Sequence, residues 1–179
     1  MQVSIKIKKT NIDKLLKEII VIYSTLEQQN QHILDYFDKQ KIQHKKTTMK
    51  TCDYSAMILK NDELGLPYDI TLEPVILIER KNSLEELSSN IANGRETFRN
   101  EWIRAKESGA NLYLVVESGS FSDIDKHNYN ARYNEKAFYN TLLSWQHDYN
   151  FKMHFVTKEL IGKHILRLLQ IQLKKLLEE

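Results

Sequence analysis

One short stretch constrains the fold of this chain more than any other. Val75 to Ile78 is an uninterrupted apolar run of strand length, and three charged residues follow it at once: Glu79, Arg80 and Lys81. A continuous apolar run of this length is typical of a strand that is buried on both faces. The sequence therefore predicts a buried strand whose carboxyl end carries charged side chains.

The charged end of this strand has the chemistry of a phosphodiester site. Side chains alternate across a strand, so Glu79 and Lys81 share one face and Arg80 lies on the other. A carboxylate can bind a hard divalent cation, and a lysine two residues later can orient or deprotonate an attacking water, or neutralise a phosphate. Asp53 supplies a second carboxylate at the end of an earlier strand-like segment, which gives the order Asp, then Glu-x-Lys, of metal-dependent nucleases. The alternative is a solvated strand end, because 28% of the residues are charged.

Four motifs in residues 20–117 resemble those of the XPF-type nuclease domain, which belongs to the PD-(D/E)XK superfamily. The family pattern runs Asp-x-Arg-Glu, Gly-Asp-Tyr, Glu-Arg-Lys-x-x-x-Asp, and then a helix with Gly-Arg. The short single-domain layout is similar to the versions found in bacteriophages and bacteria. The order and spacing are the same here, in the segments Ser24-Thr25-Leu26-Glu27, Cys52-Asp53-Tyr54, Glu79-Arg80-Lys81 with Glu85, and Gly94-Arg95.

Four positions depart from the family pattern. Ser24 stands where the pattern has its first Asp, Leu26 replaces the Arg, Cys52 replaces the Gly, and Glu85 replaces the last Asp. Glu85 keeps a carboxylate, but Ser24 removes a side chain that could bind a metal or a water. Ser24 and Leu26 therefore favour two alternatives to an active enzyme. One is a DNA- or partner-binding module with a degenerate catalytic site, and the other is an accessory subunit of a nuclease.

The resemblance implies a restriction-endonuclease-like fold, and the alternation of strands and helices also predicts an α/β domain with a central mixed sheet flanked by helices. It implies a Mg²⁺- or Mn²⁺-dependent endodeoxyribonuclease that acts in DNA processing, repair or recombination in phages or bacteria. In that interpretation Asp53 and Glu79 bind the metal, and Glu27 assists directly or through a water. Lys81 positions the nucleophile. Arg80 either supports the site by hydrogen bonds from the opposite face or contacts DNA.

Local clusters of basic residues are the candidates for contact with duplex or branched DNA. The formal net charge of +2 is too small to indicate such a partner by itself. Between positions 39 and 50 there are five lysines and no acidic residue. A solvated hairpin is the common explanation of such a run, and a phosphate-binding surface is the alternative beside a nuclease site. The expected phosphate contacts in this run are Lys41, Lys45 and Lys46.

A long helix is predicted to follow the charged strand. Ser83 and Glu86 form a capping box at its start. Gly94 lies inside this helix, where a glycine costs about 1 kcal/mol relative to alanine, so close packing or substrate approach is the expected reason for it. The apolar stripe that faces the sheet consists of Leu84, Leu87, Ile91, Phe98, Trp102 and Ala105.

Two charged residues of this helix have alternative interpretations. Arg95 either reaches a DNA phosphate or pairs with Glu96 or Glu101. Glu85 occupies the family's acidic position, but acidic residues also favour the first turn of a helix because of the helix dipole. Helix capping is therefore the preferred interpretation of Glu85.

Length and composition indicate one domain. With 179 residues, 41% of them apolar, the chain can bury a substantial core. We divide it into an N-terminal extension (1–18), a core that carries the motifs (19–117) and a C-terminal part with a loop, helices and a strand (118–179). Cys52 is the only cysteine, the first residues contain no apolar block of signal-peptide length, and no apolar run reaches roughly 20 residues. We expect a protein without membrane contact, in the cytoplasm of a bacterial or phage-infected cell.

The two ends of the chain carry further patterns. Val3, Ile5 and Ile7 alternate with polar residues, which predicts a short strand or an extended arm. Residues 118–134 form a polar loop, either anchored by its tyrosines or available to grip nucleic acid. The helix predicted from Lys158 onward has an apolar stripe wider than one packing face needs. It either closes the core or pairs with a second copy of the chain as a homodimer.

Overall fold

The computed structural model describes residues 7–178, in which strands and helices alternate. The strands are β1 (Ile20–Ser24), β2 (Gln43–Thr47), β3 (Tyr54–Ile58), β4 (Ile70–Thr71), β5 (Ile76–Lys81), β6 (Asn111–Glu117) and β7 (Phe151–Val156). The helices are α1 (Lys9–Leu15), α2 (Gln31–Lys39), α3 (Leu84–Ala92), α4 (Arg95–Glu107), α5 (Phe121–Asp125), α6 (Glu135–Tyr149) and α7 (Ile161–Glu178), with a 3₁₀ turn at Asp62–Leu64. The predicted arm at Val3 and Ile5 lies outside the described residues.

The seven strands form one mixed sheet, which confirms the predicted α/β class. The strand order is β2-β1-β3-β5-β6-β7, and β4 pairs with β3. The pairs β1–β2, β5–β6 and β6–β7 are parallel, whereas β3 is antiparallel to β1 and to β5. The start of β3 therefore meets the end of β5, which brings the segment before Tyr54 next to the charged end of the central strand.

Helices cover both faces of the sheet, and one apolar cluster lies on each face. One cluster contains Ile76 and Ile78 with residues of α1, α2 and α7. The other contains Leu77 with residues of α3, α4 and α6. All six residues of β5 are buried, so this strand continues as predicted from an apolar run into buried charge. Its alternation directs Arg80 toward the α2 side and its two charged neighbours toward the α3 side.

The predicted long helix after β5 is two helices, so that prediction is wrong. α3 ends at Ala92 and α4 begins at Arg95, with Gly94 as the N-cap residue between them. The apolar stripe nevertheless spans both helices as predicted, because every residue assigned to it is buried. A Cβ at Gly94 would lie 3.3 Å from the carbonyl oxygen of Asn90, so the glycine allows the backbone to turn closely between the two helices.

The lysine-rich segment is not a hairpin. β2 follows α2 and pairs parallel to β1 at the edge of the sheet, so β1, α2 and β2 form a βαβ unit. Periodicity did not predict this strand, because its residues are polar and mostly exposed. The lysines of this segment therefore lie on an edge strand and on its flanks, which is also a common way to protect a sheet edge.

In the C-terminal part, the last helix closes the core, and tyrosine anchors the 118–134 segment, as one interpretation of each pattern predicted. Most of the apolar stripe of α7 is buried in the cluster with α1 and α2, so the helix closes the core. Gly162 lies against Tyr36, where a Cβ would approach the ring to 2.9 Å. The 118–134 segment contains α5 and is anchored by the buried Tyr129, whose hydroxyl donates to the carbonyl of Tyr133 at 2.6 Å. Within residues 7–178 no helix is long and apolar enough to span a membrane.

Candidate active site

Asp53 and Glu79 meet where β3 begins and β5 ends. Asp53 immediately precedes β3, and its backbone N–H donates to the carbonyl of Ile78 at 2.9 Å. Its side-chain Oδ2 accepts a hydrogen bond of 2.8 Å from the backbone N–H of Arg80. The structure therefore brings the carboxylates of these two motifs together, with Asp53 at the start of β3 rather than at the end of a strand. The antiparallel pairing of β3 and β5 is the physical reason.

Lys81 lies beside these carboxylates and on the same face of β5 as Glu79. Its Nζ contacts Glu79 Oε1 at 2.6 Å and lies 5.0 Å from the ring centroid of Phe98. A second carboxylate, that of Glu86, is 3.8 Å from the same Nζ. Glu79 is 6% exposed and Lys81 is 8% exposed, so this charge pair is largely removed from water.

The pKa values of the site follow from burial and from these charges. Burial raises the pKa of Asp53 well above its usual value, and the charges of Glu79 and Glu27 raise it further. Burial alone would lower the pKa of Lys81, but Glu79 and Asp53 outweigh that effect and the pKa is raised. Lys81 therefore stays protonated at neutral pH. Of the roles predicted for it, orientation of a water and neutralisation of charge fit this state, whereas deprotonation of a water does not.

These residues form the floor of a cleft of about 680 Å³. Its walls are the turn that follows β1, the segment before β3, and the junction between α3 and α4. The cleft is polar, with carboxylate, amide and ammonium groups directed into it. The residues that line it include Ser24, Leu26, Glu27, Lys50, Cys52, Asp53, Glu79, Arg80, Lys81, Glu86, Asn90, Gly94 and Glu101.

Arg80 is the most extensively bonded residue of the site, and its side chain is directed away from Glu79. Nε and NH2 contact Glu117 Oε1 at 2.8 and 2.6 Å, and NH1 contacts Glu27 Oε1 at 2.6 Å. NH1 and NH2 also donate to the carbonyl oxygens of Gln28 and Gln29, each at 3.3 Å. Four hydrogen bonds and the short ion pair with Glu117 thus engage all three nitrogens of the guanidinium. Support of the site from the opposite face therefore fits Arg80, and contact with DNA does not.

Residues 25–167 match the family model described as the ERCC4 domain. The chain belongs to the ERCC4 domain family. This match covers well over half of the chain and confirms the XPF-type resemblance of the four motifs. No curated protein matches the chain.

Two solved structures confirm the fold of this ERCC4 domain. XPF from Aeropyrum pernix superposes with a TM-score of 0.62 at 16% sequence identity, over 85% of this chain and 64% of that chain. The structure of XPF from Aeropyrum pernix in complex with DNA superposes with a TM-score of 0.58 at 17% identity, over 83% of this chain and 64% of that chain. The ERCC4 domain described here thus spans about 64% of the length of either archaeal chain.

Ser24 has a structural task at the family's first acidic position. It is buried, its Oγ accepts from the backbone N–H of Leu26 at 3.1 Å, and its backbone N–H donates to the carbonyl of Asp53 at 2.8 Å. Short polar side chains, Asp and Ser among them, form such turns. The substitution therefore keeps the turn and removes the charge. The turn presents Leu26 at the rim of the cleft with 81% of its surface exposed.

Cys52 and Glu85 are explained by their surroundings. Cys52 has a φ of +61°, in the left-handed region that glycine adopts without strain, which accounts for the Gly of the family pattern. Burial raises the pKa of its thiol, and Glu79 adds to the effect.

Glu85 accepts a hydrogen bond of 2.8 Å from the backbone N–H of Asn130 and does not line the cleft. Glu85 thus anchors the 118–134 segment. The capping hydrogen bond of α3 comes from Ser83, whose Oγ accepts from Glu86 N at 3.2 Å.

The four predicted DNA-binding residues lie outside the cleft. Lys41, Lys45 and Lys46 are exposed on or beside β2. Lys50, another lysine of the same lysine-rich segment, lines the cleft. The guanidinium of Arg95 lies 5.1 Å from the ring centroid of Trp145, so it packs on α6. Its predicted pairing with Glu96 or Glu101 is not formed among the described residues.

The donor set fits a divalent cation that keeps part of its water shell. Within residues 7–178, no three His, Cys, Asp or Glu side chains are grouped so as to hold a metal ion. Asp53 and Glu79 are nevertheless two hard oxygen donors, and burial together with the charge of Glu79 raises the pKa of Asp53. Mg²⁺ is usually bound by one or two carboxylates together with waters and substrate phosphates. Two carboxylates at the floor of an open cleft therefore fit this class of ion.

Sequence reasoning missed two residues of the site, Glu117 and His32. Glu117 ends β6, which is buried and parallel to β5, just as Glu79 follows the apolar run of β5. A carboxylate at the end of a second buried strand was a signal that could have found it. His32 Nε2 contacts Glu117 Oε1 at 2.7 Å from the first turn of α2, and no local pattern indicates that contact.

Proposed function

We propose that this ERCC4 domain is a structure-selective DNA endonuclease that requires Mg²⁺ or Mn²⁺. The observation that carries the proposal is the convergence of Asp53, Glu79 and Lys81 on the floor of one cleft. Two carboxylates beside a protonated amine suit a cation and a phosphate, and they suit an uncharged ligand poorly. The DNA in one of the archaeal XPF structures that share this fold supports DNA as the substrate class.

The residues of the cleft floor have separate tasks in phosphodiester hydrolysis. Asp53 and Glu79 would hold the divalent cation, which polarises the scissile phosphate when it is bound. Lys81 remains an ammonium held by Glu79, so it orients the attacking water or neutralises the charge that develops on the phosphate. Hydrolysis leaves a phosphate on one DNA end and a hydroxyl on the other.

The DNA backbone would approach along the lysine surface, which we define as Lys41, Lys45, Lys46 and Lys50. All four are exposed, and none forms an ion pair with any residue in the part of the chain that the structure describes. Free ammonium groups on an edge strand can replace the counterions of a DNA backbone. Lys50 lines the cleft, so this surface continues into the site. Arg95 is a less suitable contact, because its guanidinium packs on Trp145.

A second candidate function is DNA or partner binding without catalysis, including a role as the accessory subunit of a nuclease. The observation in its favour is that Ser24 offers no charge at the family's first acidic position and uses its hydroxyl in a turn. The lysine surface would then bind DNA while the cleft floor remains inactive. Cleavage assays separate the two functions directly.

We further propose that the protein acts in the cytoplasm of bacteria or phage-infected cells, in DNA repair or recombination. The motif spacing of the short phage and bacterial versions supports this role.

We also propose that the chain forms a homodimer through its C-terminal helix. Leu160 and Ile171 remain exposed there and could pair with a second copy of the chain. Sedimentation equilibrium of the parent and a Leu160→Ser/Ile171→Ser variant tests it, and a monomer at micromolar concentration would contradict it.

The deciding experiment is a cleavage assay with several forms of DNA. End-labelled linear duplex, single-stranded, forked and flapped substrates are incubated with Mg²⁺, Mn²⁺ or EDTA. We expect cleavage with either metal, none with EDTA, and faster cleavage of branched substrates. Analysis of the product ends should find one phosphate and one hydroxyl at each cut. Binding of DNA without cleavage under all of these conditions would favour the second candidate function.

A further inference from the structure

A buried group of charges lies behind the cleft floor, on the α2 side of β5. It consists of Arg80, Glu27 and Glu117, which we call the arginine clamp. Their side chains are 3%, 7% and 5% exposed. The clamp joins three separate parts of the fold: β5, the turn after β1, and the end of β6. These parts also carry or border the residues of the cleft floor.

One oxygen of each carboxylate in the clamp, Oε1, is engaged in hydrogen bonds. Glu117 Oε1 accepts from Arg80 Nε and from His32 Nε2, and it contacts Arg80 NH2. Glu27 Oε1 accepts from Arg80 NH1 at 2.6 Å and from the hydroxyl of Tyr54 at 3.2 Å. The hydroxyl of Tyr54 in turn accepts from Asn30 Nδ2 at 3.2 Å. The clamp is therefore part of a connected polar network that extends from His32 at one end to Asn30 at the other.

The clamp is linked to the cleft floor through the backbone of Arg80. The N–H of Arg80 holds Asp53 Oδ2 at 2.8 Å, and Arg80 lies between Glu79 and Lys81 in the sequence. A guanidinium fixed on one face of β5 therefore fixes the strand position that orients the carboxylates on the other face. The same guanidinium holds the carbonyl groups of Gln28 and Gln29 at the cleft wall.

We propose that Glu27 and Glu117 are positioning residues that act through Arg80, and that Asp53 and Glu79 alone supply the metal-binding carboxylates. This inference rests on the proposed function. Glu27 borders the cleft, but its Oε1 is directed to Arg80 and Tyr54. Asp53 and Glu79 belong to the opposite side of β5, where the cleft floor lies. Glu27 and Glu117 thus have the same partner, the guanidinium of Arg80. Glu27 belongs to the family's first motif, whereas no motif indicates Glu117.

The test compares two isosteric variants, Glu27→Gln and Glu117→Gln, with Glu79→Gln as the ligand control. Mn²⁺ binding is measured by titration calorimetry in the absence of DNA, and cleavage is measured as kcat and as KM for a forked substrate. All assays are run well below the melting temperature of each variant. We expect Glu79→Gln to weaken Mn²⁺ binding by about tenfold or more. Both clamp variants should keep parental Mn²⁺ affinity, within about twofold.

In cleavage, both clamp variants should lower kcat by similar factors while KM for DNA stays unchanged. A merely structural defect would lower the melting temperature without this split between kcat and KM. Because Gln still accepts a hydrogen bond from Arg80, both variants are expected to fold. His32→Gln, which alters the outer end of the clamp without removing a carboxylate, is the second test. It should lower kcat by a smaller factor.

The outcomes distinguish the clamp from the proposed function. If Glu27→Gln weakens Mn²⁺ binding as much as Glu79→Gln does, then Glu27 is a ligand and the inference is overturned. If Glu117→Gln and His32→Gln both cleave with the parental kcat, Glu117 is not a positioning residue. If the parent protein neither binds Mn²⁺ nor cleaves DNA, the proposed function itself fails.

Discussion

The backbone N–H of Arg80 donates a hydrogen bond of 2.8 Å to Oδ2 of Asp53. This contact joins two motifs that lie 27 positions apart in the sequence. It uses the backbone of a residue whose side chain is engaged on the other face of the sheet. The strand that carries Glu79 therefore also orients the second carboxylate, so the two proposed ligands form one unit.

Substitution of Asp53 by asparagine should stabilise the protein at neutral pH. Asn can still accept from the N–H of Arg80, and it removes a carboxylate whose pKa is raised by burial and by Glu79. An unfolded chain loses this proton near pH 4, whereas the folded protein keeps it to higher pH. The parent's free energy of unfolding therefore falls with rising pH between these two pKa values, and this loss is absent in Asp53→Asn.

Thermal melts from pH 4 to pH 8 measure this effect. The melting temperature of Asp53→Asn should exceed that of the parent increasingly as the pH rises, by about 2–4 °C for each 1 kcal/mol. The excess should become constant above the pKa of Asp53 in the folded protein. Glu63→Gln, at an exposed carboxylate of the 3₁₀ turn, is the control and should melt like the parent. Equal melting temperatures of parent and Asp53→Asn at pH 7 would refute this account of Asp53.

Replacement of Lys81 by alanine should destabilise the protein as well as inactivate it. Lys81 is buried and contacts Glu79 at 2.6 Å, and removal of one partner of a buried ion pair typically costs about 3–5 kcal/mol. The double variant Glu79→Gln/Lys81→Ala should recover part of that loss, because it leaves no unpaired charge at position 79. Denaturant unfolding of both single variants and the double variant measures the coupling. Strictly additive changes in the free energy of unfolding would contradict this coupling between Glu79 and Lys81.

The lysine surface should bind DNA through phosphates and without sequence preference. We expect the Lys45→Ala/Lys46→Ala variant to bind all DNA sequences more weakly and to show a smaller dependence on salt, because fewer counterions are released. Fluorescence anisotropy across a salt series, with two unrelated duplex sequences, measures both effects. Lys158→Ala/Lys163→Ala carries the same change in charge and should bind like the parent. Equal salt dependence of the two double variants would exclude the lysine surface from DNA binding.

Local periodicity was sufficient to predict the central part of the site. The alternation of β5 correctly separated Glu79 and Lys81 from Arg80. Such patterns need only neighbouring residues, since each face of a strand or helix meets one environment. Asp53 was expected at the end of a strand-like segment, whereas it precedes β3, and it meets Glu79 because β3 is antiparallel to β5.

Features that depend on distant residues could not be predicted from the sequence. The contacts of Arg80 with Glu117 and Glu27 join residues 37 and 53 positions away. The polar residues of β2 form a strand because β1 offers a free edge, and no alternation marks them. Gly94 separates two helices, although the apolar stripe continues across it, because the stripe reports burial rather than the hydrogen bonds of the backbone.

The most direct test of the central claim is single-turnover cleavage of forked DNA at saturating Mg²⁺ by the parent, Glu79→Gln and the Glu63→Gln control. Loss of the proposed ligand Glu79 should lower the rate by at least about 100-fold, whereas Glu63→Gln should cleave at the parental rate. The parent should lose all activity in EDTA and regain it when Mg²⁺ is added in excess. Parental rates for Glu79→Gln, or cleavage by the parent in EDTA, would contradict a metal-dependent site at Asp53 and Glu79.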